Sequence, residues 1–152
     1  MDLPEIIRKP RKPAYRKPEA VRELERMADA EAKKLHPTCP AIAPRLFRDD
    51  TANALTKCIT EYIRLKGAFA SRVNNTGIYN QKLRKYVPGT SRKGLPDILG
   101  TYKGKSLFIE VKYKADRMSE SQEKIRDEQT ASGGLYFIAR NFTEFKDWFD
   151  SL

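Results

Sequence analysis

Hydrophobic positions along this chain repeat with periods that change at a few sharp points. Between Glu19 and Leu35 the residues Val21, Leu24, Ala28, Ala32 and Leu35 recur three or four apart among good helix formers, with Met27 beside them. That spacing predicts an amphipathic helix. Pro37 to Pro44 holds three prolines and reads as an extended connector. A second helix starts at a cap supplied by Asp50 or Thr51 and runs to about Lys66. Leu55, Ile59, Tyr62 and Ile63 form its buried stripe, and Gly67 stops it.

The period then shortens. A strand fits Ala68 to Asn74, and further strands fit Asp97 to Tyr102 and Ser106 to Tyr113, joined across Lys103-Gly104. Between them, Thr76 to Leu95 contains Gly77, Pro88, Gly89 and Gly94 and reads as a long irregular loop. A helix from Glu120 to about Ala131 follows, with Ser119 as its cap, Gln122 at the capping-box position and Gly133-Gly134 as its end. Leu135 to Ala139 is an unbroken apolar strand. Asn141 caps a last amphipathic helix through Phe142, Phe145, Trp148 and Phe149. From residue 50 the order is helix, strand, strand, strand, helix, strand, helix, the pattern of a compact α/β unit. Residues 19–49 supply an extra helix and linker.

Charge adds a direction. The chain has 152 residues, 30 Lys+Arg against 20 Asp+Glu, and a formal net charge of +10, which points to a polyanionic partner. Residues 1–18 intersperse Pro4, Pro10, Pro13 and Pro18 with Arg and Lys and form a basic arm, either a solubilising tail or a tether to phosphate. No stretch approaches the roughly 20 apolar residues of a membrane span, and the start lacks the apolar core of a secretory signal; a cytoplasmic protein with no membrane partner is expected. Cys39 and Cys58 lack CxxC spacing and His36 stands alone, so neither a structural zinc nor a cysteine nucleophile is expected, and the cysteines should be reduced.

The candidate chemistry lies in Asp97, Glu110 and Lys112. Alternation along the strand places Glu110 and Lys112 on one face while Ile109 and Val111 point to the core. A two-residue turn at Lys103-Gly104 puts Asp97 opposite Glu110; a loop one residue longer leaves it offset in the same cluster. Two carboxylates this close disfavour each other's ionisation, and a divalent cation, Mg²⁺ by preference, relieves that cost. Such an ion activates a phosphodiester or a bound water, with Lys112 beside it to neutralise phosphoryl charge. In isolation the favoured reading is structural, with Asp97 capping a turn after Pro96 and Glu110 and Lys112 forming a solvated ladder on an open sheet face, since Glu and Lys two apart are common on strands.

The wider string changes the balance. Lys93-Gly94-Leu95-Pro96-Asp97-Ile98, then Ile109-Glu110-Val111-Lys112, then Ser119-Glu120-Ser121-Gln122 and Gly133-Gly134-Leu135-Tyr136-Phe137-Ile138-Ala139, resembles the virus-type replication-repair nuclease family, a branch of the PD-(D/E)xK nucleases. The resemblance covers about Thr51 to Phe149 and is greatest to small standalone members associated with phages and bacteria. It implies a restriction-endonuclease-like core, with a mixed four-stranded sheet flanked by helices, over residues 50–152. It also implies Asp97 and Glu110 as ligands of Mg²⁺ or Mn²⁺, the Val111 backbone carbonyl as a further ligand, Lys112 as the catalytic lysine and Gln122 as its support. The family's first-helix acid is missing: Asn53 or a neighbouring alanine stands there. Glu61, about two turns later, either substitutes as a metal ligand or is an exposed helix residue.

The activity implied is a metal-dependent DNA endonuclease in phage replication, recombination or repair. The expected substrate is branched DNA such as a Holliday junction, cut by a homodimer. A flap-cutting or restriction-like nuclease and a catalytically silent DNA-binding protein are the alternatives. Arg72, Lys82, Arg84, Lys85, Arg92 and Lys93 approach Asp97 in sequence and are the candidate phosphate contacts. Tyr79 and Tyr86 either stack on bases or pack their own loop.

Overall fold

The computed structural model describes residues 14–73, 77–87 and 92–152. The arm up to Pro13, the strand end at Asn74 and the loop residues 88–91 lie outside them. The elements, in order, are α1 (Glu19–Leu35), α2 (Ala52–Leu65), β1 (Phe69–Arg72), β2 (Ile78–Asn80), β3 (Lys85–Val87), β4 (Ile98–Tyr102), β5 (Lys105–Val111), α3 (Glu120–Ala131), β6 (Leu135–Ala139) and α4 (Phe142–Asp150). Four strands form one mixed sheet in the order β1-β4-β5-β6. β1 and β5 run antiparallel to β4, and β6 lies parallel to β5.

Local chemistry explains the boundaries. The Thr51 side chain accepts from the Ala54 N–H and starts α2, settling the cap in favour of Thr51. Ser119 and Gln122 close a full capping box on α3, and Asn141 caps α4 through the Glu144 N–H. Lys103 and Gly104 both have positive φ, the signature of a type I′ two-residue hairpin, and pair Tyr102 with Lys105 and Ile98 with Ile109. That register carries Asp97 and Glu110 to facing positions. The expected loop is not wholly irregular: β2 and β3 form a separate antiparallel hairpin in which Tyr79 opposes Tyr86.

The core lies on one face of the sheet. Ile98, Leu107, Ile109, Val111 and Ala139 meet Leu55, Ile59, Tyr62 and Ile63 of α2 and Phe142, Phe145 and Phe149 of α4. Val21, Leu24 and Ala28 of α1 belong to the same cluster, so α1 packs on its own chain. The expected α1 stripe ends one turn early, with Leu35 exposed at the last turn. The connector is tied to α1 where the Glu25 and Asp29 carboxylates accept the backbone N–H groups of Phe47 and Arg45. α3 covers the opposite face of the sheet, where Gln129 donates to Ser106. No helix among the described residues is long and apolar enough to cross a membrane.

The core has one polar anchor. The Tyr62 hydroxyl donates to Asp150 at 2.7 Å, and Lys66 and Lys146 reach the same carboxylate at 3.0 and 3.1 Å. Burial pushes the Asp150 carboxyl up, but the hydrogen bonds from Tyr62, Lys66 and Lys146 outweigh it and hold its pKa down at about 2. A depressed carboxyl stabilises the fold above its unfolded value, near 3.9, and loses that contribution as pH falls through its folded value. Asp150→Asn should therefore lower the urea midpoint at neutral pH and flatten its decline between about pH 4 and pH 2. An acid limb as steep as in the wild type would exclude this network as its source.

Candidate active site

β5 ends at Glu110-Val111 and Lys112 follows directly; the alternation turns Glu110 and Lys112 away from the core toward α3. Both are nearly inaccessible, Glu110 at 3% and Lys112 at 5% exposure. The Lys112 ammonium lies 2.9 Å from Glu110 Oε1 and donates to Gln122 Oε1 at 3.0 Å. Gln122 Nε2 donates to the same Glu110 oxygen, and Gln122 Oε1 also accepts the Ser119 N–H that completes the helix cap. One side chain thus closes the helix cap and bonds both Lys112 and Glu110.

Asp97 enters from β4. Its Oδ2 accepts the Val111 N–H at 2.8 Å, and its backbone carbonyl accepts the Val73 N–H at 2.8 Å. A strand residue's N–H and C=O point to one edge, so the Val111 carbonyl also faces the Asp97 side. Glu110 Oε2 is buried with no hydrogen-bond partner among the described residues. Burial pushes the Glu110 carboxyl above its ordinary range; the Lys112 hydrogen bond opposes the rise and the Asp97 charge adds to it. A buried acceptor with no partner is costly, and a bound cation is one way to satisfy it.

The donor set fits a hard divalent ion. Mg²⁺ is commonly held by one or two carboxylates and completes its shell with water and substrate phosphate. Asp97, Glu110 and the Val111 carbonyl supply oxygens of that kind. Among the described residues no group of three or more His, Cys, Asp or Glu side chains converges on a metal position, and Glu61 lines a cavity together with Asn53, Lys57 and Arg72. Glu61 is ion-paired with Arg64, about 12 Å along α2 from Asn53. Asn53, at the position of the missing acid, instead accepts from Arg72 at the end of β1, on the α2 side of the sheet.

The predicted cations are dispersed. Arg72 adjoins the site through the pairing of β1 with Ile98, while exposed Lys82, Arg84 and Lys85 belong to the β2–β3 hairpin and its turn. Arg92 is committed to Glu128 of α3 at 2.7 Å; Lys93 is exposed beside it. The two cysteines are not joined: Cys39 is exposed, and Cys58 is buried, with burial pushing its thiol up to about 12.

Two residues escaped the sequence reading. Gly94, at φ +89°, packs so closely on the start of α3 that a Cβ would meet the Ser121 carbonyl oxygen at 2.4 Å. Tyr136 shares the Glu110 face of the sheet through its pairing with Phe108, and its hydroxyl is buried without a partner among the described residues. A lone hydroxyl within an otherwise apolar strand was the available signal. The chain matches no family model and no curated protein.

Proposed function

We propose that this chain is a divalent-metal-dependent DNA endonuclease of the PD-(D/E)xK type that hydrolyses phosphodiesters in branched DNA. The observation that carries this reading is the convergence of Asp97, Glu110 and Lys112, with one Glu110 oxygen buried and unsatisfied. A bound Mg²⁺ or Mn²⁺ would supply Lewis-acid polarisation of the phosphodiester and a water acidic enough to deprotonate near neutral pH. Asp97 and Glu110 would hold it, with the Val111 carbonyl.

The chain's own groups then have distinct tasks. Lys112 spends two of its three protons on Glu110 and Gln122, which fixes the ammonium; the Asp116 carboxylate lies 3.7 Å away on the open side, and a phosphoryl oxygen or the attacking water would compete with it for the third proton. Gln122 holds that geometry because it is anchored at both ends, to the α3 cap and to the charged pair. On this reading Arg72 and the hairpin cations would contact the phosphate backbone, a role that orients the substrate without reading sequence. A homodimer would place two such sites on a four-way junction.

The neutral Asn53 favours a second reading, a DNA-binding protein that has lost cleavage. Labelled four-way junction, flap and linear duplex, incubated with and without Mg²⁺ or Mn²⁺, separate the two. The nuclease reading expects metal-dependent cutting of the junction, in paired symmetric nicks for a dimer. Binding without cutting in either metal would sink it. Independently of activity, Mn²⁺ should raise the melting temperature of the wild type and leave Asp97→Asn unmoved. An equal shift in both proteins would remove Asp97 from the ligand set.

A further inference from the structure

The β2–β3 hairpin leaves the molecule at its site. Its chain departs after Arg72 and returns at Asp97, and the hydrogen bond from the Val73 N–H to the Asp97 carbonyl closes the base of this excursion. From Gly67 to Pro96 the sequence has no acid, yet it carries Arg72, Lys82, Arg84, Lys85, Arg92 and Lys93. With Arg92 paired to Glu128, the hairpin's cations remain as the main uncommitted charge of the segment.

Several of the hairpin's described apolar groups are exposed. Tyr79 and Tyr86 are cross-strand partners whose rings meet edge to face at 5.5 Å, and they are 50% and 73% exposed. Leu83, at the turn, is also exposed. The backbone supports this display locally: Asn80 Oδ1 accepts the N–H groups of Lys82 and Leu83, and Arg84 takes φ +47°, so the turn needs nothing from the core. An isolated two-stranded hairpin is marginal in water, and two large rings held in the open are not accounted for by packing. Aromatic faces interleaved with Lys and Arg, in a segment without acids, match one partner chemistry closely. Bases stack on the rings while the cations take the phosphates between them.

We propose that the Tyr79–Tyr86 face of this hairpin is a stacking platform for unpaired bases, with Lys82, Arg84 and Lys85 gripping the backbone of the same strand. The platform makes substrate choice structural, because bases within an intact duplex are already stacked on one another and do not offer their faces. It rests on the DNA reading above and extends it to the class of substrate: DNA with unpaired nucleotides beside the scissile phosphate.

The test is binding in EDTA to a forked DNA with single-stranded arms and to a linear duplex of equal length, with 2-aminopurine in one unpaired arm. Tyr79→Ala and Tyr86→Ala should each weaken fork binding about 5- to 100-fold, with duplex binding held within about twofold. They should also abolish the 2-aminopurine quenching that the wild type produces. The Tyr79→Phe/Tyr86→Phe double variant should retain both, since stacking needs the ring and not the hydroxyl. The hairpin lies outside the core, so all variants should melt with the wild type. Equal losses on fork and duplex would reduce the tyrosines to shaping the hairpin and overturn the proposal, as would alanine variants that bind the fork normally. Dissociation of a wild-type dimer by Tyr86→Ala, without selective loss on the fork, would assign the surface to a second copy instead. A wild type with no affinity for any DNA overturns the DNA reading itself, an outcome separable from the rest.

Discussion

Lys112→Met should abolish metal-dependent cleavage, by about a thousandfold or more, and should lower the stability of the metal-free protein by about 3–5 kcal/mol. The two losses have one origin. Lys112 and Glu110 are almost wholly buried and 2.9 Å apart, and removing one partner leaves the other as an uncompensated charge. The Glu110 carboxyl is already pushed up by burial, and without Lys112 it rises further. A raised carboxyl gives its full contribution to stability below its unfolded value and loses it as pH climbs through the folded value. The deficit of Lys112→Met should therefore be greatest at neutral pH and shrink toward pH 4. Glu110→Gln/Lys112→Met, which removes both charges, should recover most of the stability and none of the activity. Urea denaturation across pH, beside cleavage of the preferred substrate, reads both effects. A single variant as stable as the double variant at pH 7 would mean the pair is solvated and the site is not built as described.

Gly94→Ala should cost about 3 kcal/mol and most of the activity, although residue 94 carries no side chain that could act in chemistry. The new Cβ would lie 2.4 Å from the Ser121 carbonyl oxygen and 2.5 Å from its carbon, both backbone, on a residue held at φ +89°. No side chain can swing aside, so either the approach to Asp97 or the first turn of α3 must move. That turn carries Gln122, and with it the hydrogen bonds to Lys112 and Glu110. Gly104→Ala is the control. It shares a positive φ, +77°, but has nothing within 4 Å of the new methyl, so it should cost only the backbone strain, about 1 kcal/mol, and leave cleavage intact. Equal effects at the two positions would show that conformation alone, and not the contact with α3, matters at Gly94.

How far these features were readable beforehand follows from how local their causes are. α3 was legible to the residue because its cap, capping-box glutamine and terminal glycines lie within its own sequence. The facing of Asp97 and Glu110 followed from a two-residue turn, where Gly104 favours the left-handed backbone that type I′ requires. β2 and β3 were not legible. Three-residue strands are too short to show a period, and their surroundings are full of glycine and proline. Glu61 could be aligned with Asn53 by helical phase, but phase fixes direction and not height. The eight-position step from Asn53 carries Glu61 up the helix to Arg64. Gly94 and Tyr136 depend on contacts between α3 or Phe108 and segments remote in sequence, which no local pattern records.

The closure between Val73 and Asp97 has a bearing on how such a molecule could change over time. Because the excursion begins and ends at neighbouring points on two paired strands, the length of its part before Arg92 is nearly decoupled from the rest of the chain, while Arg92 and Gly94 stay packed on α3. Doubling a flexible loop adds only about 0.6 kcal/mol of closure entropy. The hairpin can thus be lengthened, shortened or exchanged for another with little consequence for folding, while whatever replaces it still emerges beside Asp97. On the proposed nuclease reading, such a join would let the choice of substrate diversify by insertion and deletion while the reacting groups stay fixed.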